Sequence, residues 1–141
     1  MSELTGALEG FHPWVDGGVD PFEDVIGPFY IKKLDNGSFE TACEVKAINA
    51  NSSDICHGGY LMAFADFSLF AFAGDCFEGG VSGVTVSLNN DFLSAAHIGD
   101  VIIGRGEISK ETGSMVFARG GLYAGERCVL TFSGVMKKLS N

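Results

Sequence analysis

The sequence predicts a single α+β domain in which an antiparallel sheet of about six strands wraps one long buried helix. The first sign is the run at residues 58–74, which consists almost wholly of Ala, Phe, Leu, Met, Ser, Tyr and Gly. A segment that is apolar on nearly every face belongs inside a protein. The second sign is a series of strand-like segments on both sides of this run, separated by short turns. The 141 residues are enough for one domain with a hydrophobic core.

The chain begins with an acidic segment. Residues 1–27 carry six Asp or Glu and no Lys or Arg, and we interpret them as a surface arm with a short helical turn at 21–26. The domain is predicted over residues 28–141. It begins with two strands that flank Asn36 and Gly37, because Asn-Gly between apolar runs is a strong hairpin signal.

The helix is predicted over residues 58–75, and Gly74 is expected to close it. A strand with a period of two follows. Its apolar face is predicted to consist of Val84, Val86 and Leu88. Tight turns then connect three more predicted strands, at 100–110, 114–124 and 127–137.

Charge and cysteine content limit the classes of partner. The net charge of −9 disfavours nucleic acid, although bases in the C-terminal half could form a rim for a small anionic ligand. These bases are Arg105, Arg119, Arg127, Lys137 and Lys138. The four cysteines show no framework spacing, which is typical of reduced thiols. The N-terminus does not read as a secretory leader, and the apolar run is too short for a membrane span. We therefore expect a cytoplasmic protein that binds neither nucleic acid nor membrane.

A single carboxylate interrupts the apolar helix. Between Gly58 and Gly74, Asp66 is the only carboxylate or amine, and such a group is costly there unless something uses or satisfies it. Desolvation makes a carboxylate a stronger base, which suits a general base or a nucleophile. At the helix start, Gly58 and Gly59 leave backbone N–H groups without side-chain cover. Such an end can polarise a carbonyl or hold an oxyanion.

The spacing along the helix adds a constraint. Asp66 follows Gly58 by eight residues, which corresponds to about 12 Å along the helix axis. One reacting carbonyl cannot touch both groups of the same helix. If both act on one substrate, the helix start comes from one protomer and the carboxylate from another. This geometry predicts a site across a homodimer interface.

A set of five residues carries a resemblance to a known family: Asn51, His57, Gly58, Gly59 and Asp66. The set resembles the hotdog-fold thioesterases of the phenylacetate-degradation type, within the 4-hydroxybenzoyl-CoA thioesterase superfamily. The predicted order of elements over residues 28–138 also resembles a hotdog fold. The resemblance implies an acyl-CoA thioesterase that acts as a homodimer or a dimer of dimers and requires no cofactor.

The resemblance also implies a role for each matching residue. Asp66 would be the general base or nucleophile, and the Gly58 amide would polarise the thioester carbonyl. Asn51 and His57 would help to place the water and the carbonyl. A Ser or Thr on the strand after the helix often assists the Asp in this family, and Thr85 is the best match.

Simpler interpretations of the same residues stay open. Asp66 could cap a helix or pair with Arg, and His57 could be only a helix-start residue. Asn51 could cap a turn, and Thr85 could be an ordinary strand residue. The chain also departs from the family at Asp54, where a Gly is common.

Rival functions are also open. One rival from another class is a non-catalytic module that binds acyl-CoA or a fatty acid. A hotdog dehydratase would need a His-and-acid arrangement that is not found here. His12 and His97 lack metal-ligand partners at usable spacing, so no metal site is expected. The four phenylalanines of the helix fit aromatic, medium-chain and long-chain acyl groups equally well.

Overall fold

The structure, a computed structural model, describes residues 4–13, 20–77 and 81–139. Over these residues the chain forms two α-helices and seven strands, together with short 3-10 helices. The helices are α1 (Pro21–Ile26) and α2 (Gly58–Phe72). The strands are β1 (His12–Pro13), β2 (Tyr30–Lys33), β3 (Phe39–Glu44), β4 (Ser82–Phe92), β5 (Val101–Glu111), β6 (Met115–Ala124) and β7 (Arg127–Leu139).

All of these strands join one antiparallel sheet in the order β1-β2-β3-β5-β6-β7-β4. The long helix α2 packs against one face of the sheet, which confirms the predicted α+β fold. The hairpin between β2 and β3 forms where Asn36 and Gly37 predicted it, and Gly37 has the positive φ of 87° that favours glycine. No helix of the described residues is long and apolar enough to cross a membrane.

The core lies between α2 and the central strands. On α2, Phe64, Ala65 and Leu69 have no exposed surface. The sheet contributes fully buried side chains from three strands, namely Ile102, Leu122, Leu130 and Met136. A Cβ atom at Gly134 would overlap the side chain of Leu69. Glycine at this position therefore lets β7 approach α2 closely, which fixes the helix on the sheet.

A β-bulge makes β4 differ from the predicted alternation. The pairing of β4 with β7 shifts its register between Thr85 and Ser87. Val84 and Val86 are 44% and 56% exposed, whereas Leu88 packs against the core. The prediction that Val84, Val86 and Leu88 share one face is therefore wrong. The extra residue of the bulge reverses the alternation, so that Thr85 and Leu88 both face α2.

The acidic segment contributes two elements to the domain. β1 pairs with β2 and adds a seventh, two-residue strand that no alternating pattern had indicated. The predicted helical turn is confirmed as α1, in which Asp20 caps the helix by accepting a hydrogen bond from the Glu23 amide at 3.1 Å. By contrast, α2 ends at Phe72, and Gly74 begins a 3-10 helix instead of closing α2.

Candidate active site

The loop before α2 is organised by Asn51. Its side-chain oxygen accepts hydrogen bonds from the amides of Ser53, at 2.9 Å, and Ile55, at 3.2 Å. The Asn51 amide in turn donates to the Ile55 carbonyl at 2.8 Å. These bonds form an Asx-type turn. The turn-capping interpretation of Asn51 is therefore confirmed, and its exposed side-chain NH₂ group is not engaged by any described residue.

Asp54 occupies the position where the family often has Gly. Its φ is 61°, in the left-handed region that favours glycine. Asp tolerates this conformation better than most residues, because its short polar side chain can bond locally. Asp54 therefore stands in place of Gly and keeps the left-handed backbone conformation that a Gly would adopt.

His57 caps the start of α2. Its Nδ1 atom accepts a hydrogen bond from the Gly59 amide at 2.8 Å. A neutral imidazole with Nδ1 as acceptor carries its proton on Nε2, and the side chain is exposed. The helix-start interpretation of His57 is confirmed, and its Nε2–H group is left to face solvent or a ligand.

The Gly58 amide is left without a partner by this cap. No described residue accepts a hydrogen bond from it, because the His57 side chain bonds to the next amide along. A Cβ atom at Gly58 would lie 3.2 Å from the Phe92 ring, which is itself 53% exposed. A side chain at position 58 would therefore be crowded and would narrow access to the amide. The first turn of α2 also carries the partial positive charge of the helix dipole.

Asp66 lies at the centre of α2, where Thr85 contacts it. The Thr85 hydroxyl donates a hydrogen bond of 2.5 Å to Oδ1 of Asp66. Hydrogen bonds to carboxylates are short and strong, so this one fixes the orientation of the carboxylate. Both side chains are half-buried. No described residue donates a hydrogen bond to Oδ2 of Asp66, which leaves that oxygen available for a reacting group.

The predicted site residues thus form two clusters. His57 and Gly58 lie at the start of α2, with Asn51 in the loop that leads to them, and Asp66 contacts Thr85 farther along the helix. Eight helical residues separate Gly58 from Asp66, or about 12 Å. One protomer therefore presents an amide donor and a carboxylate that cannot touch the same carbonyl.

A third component was missed from the sequence, namely Glu23 of α1. This side chain is half-buried. Burial, followed by the charges of Asp20 and Asp66, raises the pKa of its carboxyl from 4.5 to about 7. Glu23 therefore lies near Asp66. The sequence does contain a signal for this helix, because Pro21 directly after the capping Asp20 marks a helix start. In a helix that starts there, Glu23 and Ile26 lie on one face.

A cavity of about 330 Å³ lies between α1 and the start of α2. Its lining comes from α1, from the loop before α2 and from the first turn of α2. The lining residues are Phe22, Ile26, Ile48, Asn49, Ala50, His57, Gly59 and Tyr60.

Among the described residues, four of the five bases that could form a rim have acidic partners of their own, the exception being Lys137. Arg105 bonds to Glu40 at 2.7 Å, and Arg119 bonds to Glu107 at 2.8 Å. Both arginines line a hollow of about 590 Å³. Strand alternation puts them on the sheet face away from α2, because their neighbours Gly104 and Ala118 are buried on the inner face. That hollow is therefore remote from Asp66.

Three comparisons place the chain among known proteins. A family model described as the thioesterase superfamily matches residues 54–130. The chain is 32% identical over 132 residues to PA0474 of Pseudomonas aeruginosa, whose assignment as an esterase is provisional; the match covers 94% of this chain and 97% of that protein. A point mutant of the phenylacetic acid degradation protein PaaI from Thermus thermophilus is similar in structure. It shares 26% identity with a TM-score of 0.72, over 85% of this chain and 100% of that chain.

A more distant neighbour shows the fold alone. It is a hypothetical thioesterase protein from Streptococcus pneumoniae, solved with coenzyme A. The two share 22% identity with a TM-score of 0.71, over 80% of this chain and 87% of that chain. The arrangement of α2 on the sheet therefore persists where most of the sequence has changed.

Proposed function

The chain belongs to the thioesterase superfamily and is a thioester hydrolase, and from this premise we propose that Asp66 and the Gly58 amide carry out the hydrolysis of acyl-CoA. The products are the free acid and CoA. The observation that carries the proposal is the Asp66 carboxylate, oriented by a 2.5 Å bond from Thr85 and placed on the same helix as an unpartnered amide. Acyl-CoA as the substrate is supported by the coenzyme A bound to the pneumococcal neighbour.

Asp66 acts as general base or nucleophile. As a general base, it removes a proton from water as the water attacks the thioester carbonyl, and CoA leaves as the thiolate. As a nucleophile, it attacks the carbonyl directly, and water then hydrolyses the resulting anhydride. The bond from Thr85 occupies Oδ1, so Oδ2 is the atom that reacts.

The Gly58 amide stabilises the negative charge that develops on the carbonyl oxygen. An amide at the first turn of a helix is fixed in direction before the reaction, so no reorganisation is needed when the charge forms. His57 supports this function through its cap, because bonding to the Gly59 amide leaves the Gly58 amide free. Asn51 shapes the loop that delivers both residues.

Both groups can act on one carbonyl only if two protomers combine. β4 lies at an edge of the sheet and carries exposed Val84 and Val86, and a long apolar edge strand is suited to pairing with another strand. Pairing of two β4 strands about a two-fold axis would bring two α2 helices together in opposite directions. With Met62, which is 40% exposed, on the axis, Gly58 would lie opposite the partner subunit's Asp66.

Subunit mixing tests this arrangement. Asp66→Asn removes the base, and Gly58→Pro removes the amide hydrogen at the first helical position, where the backbone accepts Pro. Because a Cβ atom at position 58 would lie 3.2 Å from the Phe92 ring, circular dichroism must first show that this variant folds. Asp66→Asn should lose about 10²–10⁴-fold in kcat, a typical loss for a general base, and Gly58→Pro should lose about 10²–10³-fold, a typical loss for one oxyanion donor. A hybrid dimer has one site with both native groups and one with neither, so activity should reappear on mixing.

Two outcomes would contradict the proposal. Near-normal turnover by the folded Asp66→Asn protein would remove Asp66 from the reaction. A mixture that stays inactive, while native mass spectrometry detects hybrid dimers, would show that the two groups do not meet across the interface. Thr85→Ser is the matched control, because it retains the hydroxyl that bonds to Asp66.

A further inference from the structure

The cavity between α1 and α2 is built largely from apolar side chains. Phe22 and Ile26 come from α1, Ile48 and Ala50 come from the loop before α2, and Tyr60 comes from α2 itself. None of its lining residues is Lys or Arg, so the cavity offers no cation to a phosphate. It is therefore suited to a hydrocarbon group and not to the nucleotide end of CoA.

The polar end of the cavity coincides with the helix start. His57 and Gly59 both line it, and the unpartnered Gly58 amide lies between them in the chain. A thioester carbonyl held by this amide carries an acyl group on one side and a sulfur atom on the other. The acyl group is the apolar substituent, and the adjacent cavity is the apolar space into which it can extend.

A buried asparagine holds α1 in position beside the helix start. Asn49 is 3% exposed, and its Nδ2 atom donates to the Ile26 carbonyl at 3.0 Å. Its side-chain oxygen accepts from the Lys46 amide at 2.9 Å, and its carbonyl accepts from the His57 amide at 2.8 Å. One residue thus links α1, the loop and the cap of α2. α1 is a fixed wall of the cavity.

We propose that α1 is the wall that selects the acyl group, with Phe22, Ile26, Ile48 and Ala50 as specificity-determining residues for an uncharged, hydrocarbon acyl chain. This inference rests on the proposed function.

The volume of the cavity sets the size of the group. At the roughly 30 Å³ that one water molecule occupies in the liquid, the cavity of about 330 Å³ has room for about ten non-hydrogen atoms. An engineered cavity of about 150 Å³ holds benzene. The wild-type protein should therefore prefer acyl chains of about eight to ten carbons to acetyl, with no further gain for longer chains.

The test measures kcat/KM for straight-chain acyl-CoAs from acetyl to dodecanoyl by release of free thiol. Ala50→Leu adds three carbons to the cavity wall and should lower kcat/KM for octanoyl-CoA by about 10-fold or more, while acetyl-CoA is hardly affected. Phe22→Ala removes part of the cavity wall. The ratio of kcat/KM for octanoyl-CoA to kcat/KM for acetyl-CoA should therefore fall, because the longer acyl chain loses apolar contact. Val25→Ala is the matched control, because Val25 is 66% exposed on the same helix and does not line the cavity.

Several results would overturn the inference. If the octanoyl-to-acetyl ratio stays within twofold of wild type in both Ala50→Leu and Phe22→Ala, α1 does not select the acyl group. If Phe22→Ala lowers turnover of all substrates equally and converts dimers to monomers by sedimentation, Phe22 lies in a subunit interface instead. Loss of acyl-CoA hydrolysis is a different failure: a wild-type protein that cleaves no acyl-CoA refutes the proposed function itself.

Discussion

Replacing Glu23 with Gln should stabilise the protein at neutral and alkaline pH and leave its stability unchanged in acid. Glu23 is half-buried on α1. Burial is the first cause that raises the pKa of its carboxyl from 4.5 to about 7, and the charges of Asp20 and Asp66 come next. The amide of Gln removes the desolvation of a carboxylate and its repulsion by these neighbours.

The sign and size of the effect follow from this pKa. Folding raises the pKa of Glu23, so the folded protein binds its proton more tightly than the unfolded chain does. The ionised carboxyl therefore costs nothing below about pH 4.5, costs more as the pH rises to about 7, and costs a constant amount above that. At about 1.4 kcal/mol per pKa unit, a fully buried group would cost about 3 kcal/mol. Because Glu23 is half exposed, solvent screening reduces this to about 1 kcal/mol.

The assay is urea denaturation of wild type and Glu23→Gln at pH 4.5 and pH 8, at one protein concentration. At pH 8 the variant should have a free energy of unfolding about 1 kcal/mol higher than wild type. At pH 4.5 the two should agree closely. Glu126→Gln is the control, since it makes the same substitution at an exposed position whose charge is not among the causes of the raised pKa of Glu23. The difference in free energy of unfolding between this control and wild type should stay nearly constant between the two pH values.

A difference between Glu23→Gln and wild type that does not change with pH would refute this reasoning. So would a wild type that is the more stable protein at pH 8. Either result would mean that the Glu23 carboxylate is satisfied in the folded state.

Three further predictions concern the candidate site. Thr85→Val should lower kcat by about tenfold or more because Asp66 loses its orienting hydrogen bond, whereas Thr85→Ser should retain most activity in the same thiol-release assay. His57→Ala should cost about 1 kcal/mol in urea denaturation through loss of the helix cap, and His57→Asn should recover most of it, because Asn is a good capping residue. Asp54→Ala should destabilise the protein by about 1 kcal/mol and Asp54→Gly should not, because the positive φ at this position strains Ala but not Gly. Thermal melts measure the difference between the two variants. Equal melting temperatures would contradict the prediction.

Local chemistry explains the parts of the fold that the sequence predicted. The hairpin at Gly37 depends on a backbone conformation that few other residues adopt, and the length of α2 follows from an apolar run that only Asp66 interrupts. Asp66 stood out for the same reason, because a single carboxylate in such a run conflicts with its surroundings. The contact with Thr85 was inferred from a family resemblance, and the hydrogen bond between the two side chains is present.

Tertiary contacts explain the parts that were missed. The bulge at Val86 depends on how β4 pairs with β7, and its own residues give no sign of an extra position. Gly74 looked like a helix end, but α2 stops two residues earlier at Phe72 and continues into a 3-10 helix. The closeness of Glu23 to Asp66 joins segments more than forty residues apart. No local pattern encodes a contact of that range.

The hydrogen bonds of Asn49 determine which segments can be exchanged between related proteins. An exchange of residues 20–27 between relatives would appear modular, because the segment is short and precedes the domain core. Yet the Asn49 amide that binds the carbonyl of Ile26 lies beyond any such segment. A chimera whose foreign α1 ends at a different point, so that no backbone carbonyl faces Asn49, would bury an unpaired amide beside the His57 cap, at a cost of about 1–3 kcal/mol. Segments 20–27 and 46–57 therefore form one unit of exchange, although 23 positions of chain separate Ile26 from Asn49.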